Sequence, residues 1–155
     1  QGSTFFITIM LPIAAEMPAS ETALPAAPPE EQHSLDILLV EDNVINQKVA
    51  AKMLHNWSHR ISLACDGQEA LDILQDRHFD LILMDMQMPV MGGLEASRRI
   101  REMESGNRHT PIIAMTANAT EADRQACIEA GMDDYLAKPI HSAQLKEMIA
   151  RYSSD

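Results

Sequence analysis

The chain has 155 residues, of which 46% are apolar, and it carries a formal net charge of -11 at pH 7. This length predicts one domain plus a tail, and the apolar fraction is enough for an ordinary core. The acidic balance argues against a nucleic-acid footprint, which needs a basic face, and against electrostatic binding to an anionic membrane surface. It fits a cation site, a basic protein partner or simple solubility.

The N-terminal segment has two parts. Its apolar start is too short to span a bilayer, and no basic segment precedes it as in a signal peptide. Because the chain begins with Gln1 rather than Met, we expect a fragment of a longer protein. Residues 13–34 are rich in Pro, Ala, Glu and Ser and have no apolar period, which is typical of a solvated linker.

From Leu35 onward, apolar runs alternate with helical patterns. The apolar runs predict strands at residues 35–40, 61–65, 79–85, 110–117 and 133–139. The helical patterns lie at residues 44–56, 69–75, 93–103, 121–130 and 143–152. Asn43, Thr120 and Ser142 are expected N-caps, and Gly131 is the expected stop after the fourth helix.

The first of these helices has an apolar period that predicts its buried face. The residues expected to face the core are Val44, Ile45, Val49, Met53 and Leu54. In the second helix, Ala70, Leu71 and Leu74 are expected to point inward.

The cysteines and histidines show no metal-binding spacing. Cys65 and Cys127 lie in apolar contexts without a CxxC motif, so we expect both in or near the core of a protein from a reducing compartment. The six histidines form no HxxH or HExxH pair and are interpreted as surface or packing residues.

The five strand–helix units predict an α/β fold. Continuous apolar strands are covered on both faces, so the sheet is parallel with helices on each side. Right-handed crossovers make this a doubly wound (βα)5 three-layer sandwich, and the flavodoxin-like order 2-1-3-4-5 is one of two common choices. In that order, strands 1 and 3 are neighbours, and their C-terminal ends carry Glu41, Asp42 and Asp85.

Three carboxylates at one rim repel one another, and a divalent cation relieves that repulsion. An oxygen-only set with few protein ligands suits Mg²⁺. The direct ligands would be Asp42, Asp85 and a backbone carbonyl just after Asp85, with Glu41 acting through water. The alternative is that these acids merely cap helices at the strand ends.

Strands 4 and 5 add Thr116 and Lys138 to the same rim. No Ser/His/Asp or Cys/His arrangement is evident, and the chain has no GxGxxG after strand 1 and no GxxxxGK[ST] motif. The remaining interpretation is phosphoryl transfer to an aspartate, with a metal ion and a lysine to hold the phosphoryl oxygens.

Four motifs together, ILLVEDN, LILMDMQMP, MTANA and YLAKPI, resemble a response-regulator receiver domain. The resemblance covers residues from Leu35 to about Tyr152. It implies that Asp85 is the phosphoacceptor and that Asp42, Asp85 and the backbone carbonyl of Gln87 bind Mg²⁺, assisted by Glu41 through water. Mn²⁺ would suit the same ligands.

The resemblance also assigns roles around the phosphoacceptor. Lys138 would contact the phosphoryl group, Thr116 would move toward it, and Tyr135 would rotate inward as the switch aromatic. The Lys138–Pro139 bond would be cis. The alternatives are that Tyr135 is a half-buried strand aromatic and that Thr116 is an ordinary strand end.

The segment GSTFFITIMLP resembles the last strand of a histidine-kinase ATP-binding domain. This implies a strand remnant at residues 1–12, a linker at 13–34 and a receiver domain at 35–152, at the C-terminus of a hybrid sensor histidine kinase. The implied partners are a phosphohistidine domain of a kinase and a histidine phosphotransfer protein, with no nucleic acid and no direct membrane contact. The fragment would be cytoplasmic, within a parent protein anchored in the inner membrane. A dimer could form through residues 35–152 or by exchange of the N-terminal strand.

Three competing interpretations remain. The chain could be a stand-alone single-domain response regulator, or a degenerate receiver that only binds partners. Whether the chain counts as an enzyme stays open: the longer protein would be an ATP-dependent kinase, whereas this fragment would catalyse only its own aspartyl phosphorylation and dephosphorylation. The third interpretation is an aspartate-nucleophile phosphatase of the haloacid dehalogenase type. Such enzymes carry a second acid two residues after the nucleophile, and this chain has Gln87 there, which argues against this interpretation.

Overall fold

The computed structural model describes residues 34–104, 106, 108–118 and 120–153. The strand remnant predicted at residues 1–12, the linker predicted at 13–34 apart from its last residue, and the proposed strand exchange lie outside these residues. Within them, no helix is both long enough and apolar enough to cross a membrane.

Five strands alternate with five helices. The strands are β1 (Asp36–Val40), β2 (Arg60–Ala64), β3 (Leu81–Asp85), β4 (Ile112–Thr116) and β5 (Asp134–Ala137). The helices are α1 (Val44–Asn56), α2 (Gly67–Asp76), α3 (Gly93–Met103), α4 (Glu121–Glu129) and α5 (Ser142–Tyr152). Every element predicted from Leu35 onward is present, with bounds that differ by at most two residues from those expected.

The strands form one parallel sheet in the order β2-β1-β3-β4-β5. Helices α1 and α5 cover one face, and α2, α3 and α4 cover the other, because their buried residues belong to two separate clusters. The strand order and the three layers confirm the predicted doubly wound fold.

The strands carry both halves of the core. Along β1, Leu38 and Val40 pack toward α2 and α3, whereas Ile37 and Leu39 pack toward α1 and α5. All five residues of β3 are buried. This alternation explains why a central parallel strand reads as a continuous apolar run.

The predicted inner face of α1 is largely wrong. Val44, Ile45 and Val49 are 56%, 72% and 47% exposed, whereas Gln47 and Ala50 are buried. The amide of Gln47 donates to the backbone carbonyl oxygens at the ends of β1 and β2, and the small Ala50 lets the helix lie close to the sheet. These contacts, rather than the apolar period, fix the rotation of the helix. Leu54 does face the core and Met53 is partly buried, as predicted.

In α2, Ala70 and Leu71 are buried and Leu74 is partly buried, as predicted.

The helix ends follow local capping rules at three of four predicted positions. Asn43 Oδ1 accepts hydrogen bonds from the N–H groups of Ile45 and Asn46, at 2.9 and 3.3 Å. Thr120 caps α4, and Gly131 follows α4 with a φ of 81°. Ser142 is instead the first residue of α5, and His141 precedes it without a side-chain cap.

Of the two cysteines, only Cys127 is buried. Its Sγ lies 3.6 Å from Sδ of Met86. The expectation that Cys65 lies near the core is wrong, because it follows the last residue of β2 and is exposed.

Candidate functional site

Three carboxylates meet at the C-terminal edge of the sheet. Val40, the last residue of β1, pairs in register with Met84, so Glu41 and Asp42 lie beside Asp85. One carboxylate oxygen from each acid lies within 4.8 Å of the others. The strand order predicts this proximity, and the structure brings all three together.

The three acids differ in exposure. Glu41 and Asp85 are 1% and 4% exposed, whereas Asp42 is exposed. Two buried carboxylates need compensating charge or hydrogen bonds, because desolvation disfavours an unpaired ion. Because Asp42 is exposed and Glu41 and Asp85 are buried, solvent reaches the cluster from the Asp42 side.

Lys138 supplies that compensating charge. Its Nζ lies 2.7 Å from Glu41 Oε2 and 2.7 Å from Asp85 Oδ2. Burial acts to lower the pKa of Lys138, but the hydrogen bonds and negative charges of Asp85 and Glu41 outweigh it and raise the pKa. The Lys138–Pro139 peptide bond is cis, as predicted.

Two residues of α1 also hold Glu41. Asn46 Nδ2 donates to Glu41 Oε1 at 2.8 Å, and Gln47 Nε2 donates to the Glu41 backbone carbonyl at 2.7 Å. Sequence analysis missed both residues. Two consecutive amides in the first turn of a helix that begins at the site are the signal that could have identified them.

Thr116 ends β4 and lies at the same edge, one position beyond the Asp85–Met115 pair. Its side chain is buried; the hydroxyl donates to the Asn118 carbonyl at 2.8 Å and accepts from the Asn118 N–H at 3.2 Å. Tyr135 lies on β5 and is 36% exposed. The structure thus places Thr116 near the acids and leaves the Tyr135 ring partly in solvent.

The loop after β3 packs tightly around Asp85. The N–H of Gln87 donates to Asp85 Oδ1 at 3.2 Å. A Cβ added to Gly93 would lie 2.2 Å from the Asp85 carbonyl oxygen, so only glycine fits there. Val90 has a φ of 65° and is 84% exposed, which is uncommon for a β-branched residue.

The donor set decides which ion this edge can hold. Among the described residues, the cluster of possible ligands consists of Glu41, Asp42 and Asp85, without histidine or cysteine. Carboxylate oxygens are the hard ligands that Mg²⁺ prefers. An ammonium and a hydroxyl lie at the same edge, so the site has the groups that phosphoryl transfer to a carboxylate needs.

Comparison with known proteins gives a consistent result. A family model described as the response regulator receiver domain matches residues 37–150. Hybrid signal transduction histidine kinase M of Dictyostelium discoideum is 43% identical over 119 residues, which are 74% of this chain and 5% of that protein. Probable histidine kinase 6 of Oryza sativa subsp. japonica is 34% identical over 183 residues, covering 97% of this chain and 19% of that protein. The chain thus spans only a small part of these relatives.

Solved structures show the same fold. The receiver domain of sensor histidine kinase PA1611 from Pseudomonas aeruginosa PAO1, with a magnesium ion coordinated in its active site cleft, is 45% identical; the match covers 79% of this chain and 99% of that one, with a TM-score of 0.72. The second structure is a co-crystal of the Saccharomyces cerevisiae histidine phosphotransfer signaling protein Ypd1 with the receiver domain of its downstream response regulator Ssk1. That match is 33% identical and covers 77% of this chain and 89% of that one, with a TM-score of 0.73.

Proposed function

The chain belongs to the family of response regulator receiver domains, and we propose from this premise that it takes a phosphoryl group from a phosphohistidine onto Asp85. The observation that carries the proposal is the position of Asp85, at the end of β3 between two further acids and the Lys138 ammonium. A buried carboxylate at an acidic edge, with an ammonium on Oδ2 and the Gln87 N–H on Oδ1, suits a phosphoacceptor.

The proposed reaction is an in-line displacement. A carboxylate oxygen of Asp85 attacks phosphorus, and the bond from phosphorus to the imidazole nitrogen of the donor breaks. Its electron pair stays on the imidazole, and an acyl phosphate forms. Lys138 is already within hydrogen-bond distance of Asp85, so its charge offsets the negative charge of the transferred group.

The acid cluster supports a Mg²⁺ site. The proposed ligands are Asp42, Asp85 and the backbone carbonyl of Gln87, with Glu41 acting through water. Mg²⁺, when bound, supplies positive charge that offsets the repulsion between the acids and the phosphoryl oxygens. Mn²⁺ suits the same oxygen ligands.

Thr116 and Tyr135 are the proposed switch. The Thr116 hydroxyl lies at the phosphoacceptor edge and bonds to Asn118 within its own loop. Phosphorylation would draw this hydroxyl toward the new phosphoryl oxygens, and the Tyr135 ring would turn inward behind it. The two conformations of β4, β5 and the following helices would then present different surfaces to partners.

The two curated relatives named above are histidine kinases, and one of them is a hybrid kinase, which supports a place for this chain in a longer protein of that kind. We place a strand remnant at residues 1–12, a linker at 13–34 and the receiver at 35–152, in the cytoplasm. The phosphoryl group would come from the phosphohistidine domain of a kinase and pass to a histidine phosphotransfer protein. A stand-alone regulator would use the same site but would not pass the group on.

The test is intact-protein mass after incubation with acetyl phosphate and Mg²⁺. Wild type should gain one phosphate-sized, base-labile mass, and Asp85→Asn should gain none while remaining folded. Asp76→Asn, an exposed acid at the end of α2, is the matched control and should behave as wild type. A folded wild type that gains no mass, or an Asp85→Asn variant that does, would overturn the proposal; the first result would favour a degenerate receiver.

A further inference from the structure

Every polar atom of Glu41 forms a hydrogen bond. Its N–H donates to the Ala64 carbonyl oxygen at 3.1 Å, and its own carbonyl oxygen accepts from Gln47 Nε2 at 2.7 Å. Of its carboxylate oxygens, Oε2 accepts from Lys138 Nζ at 2.7 Å and Oε1 accepts from Asn46 Nδ2 at 2.8 Å. The backbone and the carboxylate of Glu41 are therefore both fixed, and its side chain is only 2% exposed.

Asn46 is itself positioned by the start of α1. Its backbone N–H donates to Asn43 Oδ1 at 3.3 Å, as part of the cap that begins the helix. Its side chain reaches from the first turn of α1 to the carboxylate of Glu41, just after the end of β1. An amide on a capped helical turn is a rigid support, so this hydrogen bond fixes the direction in which the carboxylate of Glu41 points.

Distance alone does not keep Glu41 from binding an ion directly. One oxygen each of Glu41, Asp42 and Asp85 lie within 4.8 Å of one another. Oxygen ligands lie roughly 2.5 Å from Ca²⁺ and about 2.1 Å from Mg²⁺, so two ligands of one ion are at most about 5 Å and about 4 Å apart, respectively. The three acids are therefore close enough to bind Ca²⁺ together.

The hydrogen bonds of Glu41 oppose such direct binding. Its carboxylate has an amide on one oxygen and an ammonium on the other, and it must lose one of these partners before it can bind an ion directly. Ca²⁺ takes roughly 6–8 oxygen ligands and often both oxygens of one carboxylate, whereas Mg²⁺ keeps several waters and needs few protein ligands. The loss of a hydrogen bond therefore disfavours Ca²⁺, and it leaves Mg²⁺, which Glu41 assists through water, unaffected.

We propose that Asn46 is a positioning residue that makes this site prefer Mg²⁺ over Ca²⁺, because its amide keeps Glu41 from binding the ion directly. This inference rests on the proposed function, because it concerns the metal site beside the same phosphoacceptor. Lys138 also bonds Glu41, but in the proposed reaction it serves the phosphoryl group as well. The amide of Asn46 is the donor that stays on the carboxylate throughout.

The test compares two ions on the same variant. Asn46→Leu keeps the shape of the side chain but removes the donor, and it should fold because position 46 is exposed. The dissociation constants for Mg²⁺ and Ca²⁺ follow from the rise of Tm with free ion concentration. The ratio of the Ca²⁺ constant to the Mg²⁺ constant should fall about tenfold relative to wild type, which is the usual scale for residues that orient metal ligands. Asn46→Ala should lower the ratio in the same direction.

A second background tests whether Asn46 acts through Glu41. Glu41→Gln removes the negative charge that direct binding of Ca²⁺ would use, so adding Asn46→Leu to Glu41→Gln should leave the ratio unchanged. The matched control is Asn56→Leu, the same substitution at the exposed last residue of the same helix, and it should keep the wild-type ratio. A substitution that only loosened the fold would weaken the binding of both ions alike, and the ratio would not change.

The outcomes separate this inference from the proposed function. An Asn46→Leu ratio equal to that of wild type would overturn the role of Asn46, as would an equal fall of the ratio with Glu41 and with Gln at that position; both results leave the proposed function intact. A wild type whose Tm rises with neither ion would overturn the metal site and this inference together. A wild type that shows the expected ratios but gains no mass from acetyl phosphate would overturn the phosphoacceptor role alone.

Discussion

Lys138 Nζ lies 2.7 Å from Glu41 Oε2, although the two residues are 97 positions apart in sequence. The same ammonium contacts Asp85 Oδ2, so one cation joins the ends of β1 and β3. Both carboxylate side chains are almost fully enclosed, at 2% and 6% exposure. The acid cluster is therefore charge-balanced by a lysine that follows the last strand of the sequence.

Replacing that cation should destabilise the domain. In metal-free buffer, Lys138→Met should lower the free energy of unfolding by about 2 kcal/mol, because two enclosed carboxylates lose their charged partner. Urea unfolding followed by circular dichroism measures the change. Lys146→Met, at an exposed position on α5, is the control and should unfold like wild type.

The pH dependence of that difference follows from the raised pKa of Lys138. A group with a raised pKa in the folded state stabilises fully below its ordinary value of 10.5, and this contribution disappears as pH rises through the folded-state pKa. The difference in free energy of unfolding between wild type and Lys138→Met should therefore be constant around neutral pH and become smaller in strong alkali. A difference that grows as the pH rises would contradict the ion pairs of Lys138 with Glu41 and Asp85.

Mg²⁺ should stabilise the wild-type fold, since it binds the native cluster and not the unfolded chain. A free concentration tenfold above the dissociation constant should add about 1.4 kcal/mol and raise Tm by several degrees. Asp42→Asn should lose most of this rise without a folding defect, because Asp42 is exposed. The control Asp76→Asn should keep it, and an unchanged wild-type Tm in millimolar Mg²⁺ would refute the proposed metal site.

Gly93 should not tolerate a methyl group. In Gly93→Ala the new Cβ would lie 2.2 Å from the Asp85 carbonyl oxygen, so the loop or the end of β3 must shift. We expect a loss of about 1–3 kcal/mol and slower phosphorylation by acetyl phosphate. Gly92→Ala is the control, because its Cβ would meet Met86 O at 3.4 Å, an ordinary contact. If Gly93→Ala and Gly92→Ala had the same free energy of unfolding and the same phosphorylation rate, the close packing of Gly93 against Asp85 would not matter for stability or activity.

His59 should make the fold sensitive to mild acid. Burial lowers the pKa of His59 below its ordinary value of 6.5, and its Nδ1 accepts a hydrogen bond from the Leu35 N–H at 3.3 Å. The neutral ring therefore stabilises the fold above pH 6.5, and this contribution is lost as pH falls toward and through the lowered pKa.

The corresponding variant keeps an acceptor that does not titrate. His59→Asn should unfold with a shallower pH dependence just below pH 6.5 than wild type. Parallel curves for wild type and His59→Asn would contradict the role of the ring.

Sequence analysis predicted the sheet well because each strand carries its own signal. The apolar run of β3 ends at Asp85 in both the prediction and the structure. Its start was predicted two residues early, because Phe79 is also apolar and buried although it precedes the strand. The meeting of Asp85 with Glu41 then follows from strand order alone, since parallel strands end at one edge.

Sequence analysis failed where distant contacts decide. The rotation of α1 depends on hydrogen bonds from Gln47 to the ends of two strands, and no local period reports them. The contact of Asn46 with Glu41 was missed because the apolar period was used alone, although the two amides at the start of the helix could have indicated it. Cys65 was misplaced because an apolar run does not reveal where its strand ends. The roles of Thr116 and Tyr135 stay predictions.

The division of the core into two layers has a consequence for how such a sequence can change. Leu38 and Leu39 are neighbours in β1, yet their side chains belong to separate clusters on opposite faces of the sheet. A volume lost in one layer cannot be refilled by side chains of the other, so paired substitutions across the sheet should act additively. Each layer can thus accumulate its own compatible substitutions independently of the other. The sheet backbone between the layers keeps Glu41, Asp42 and Asp85 in place.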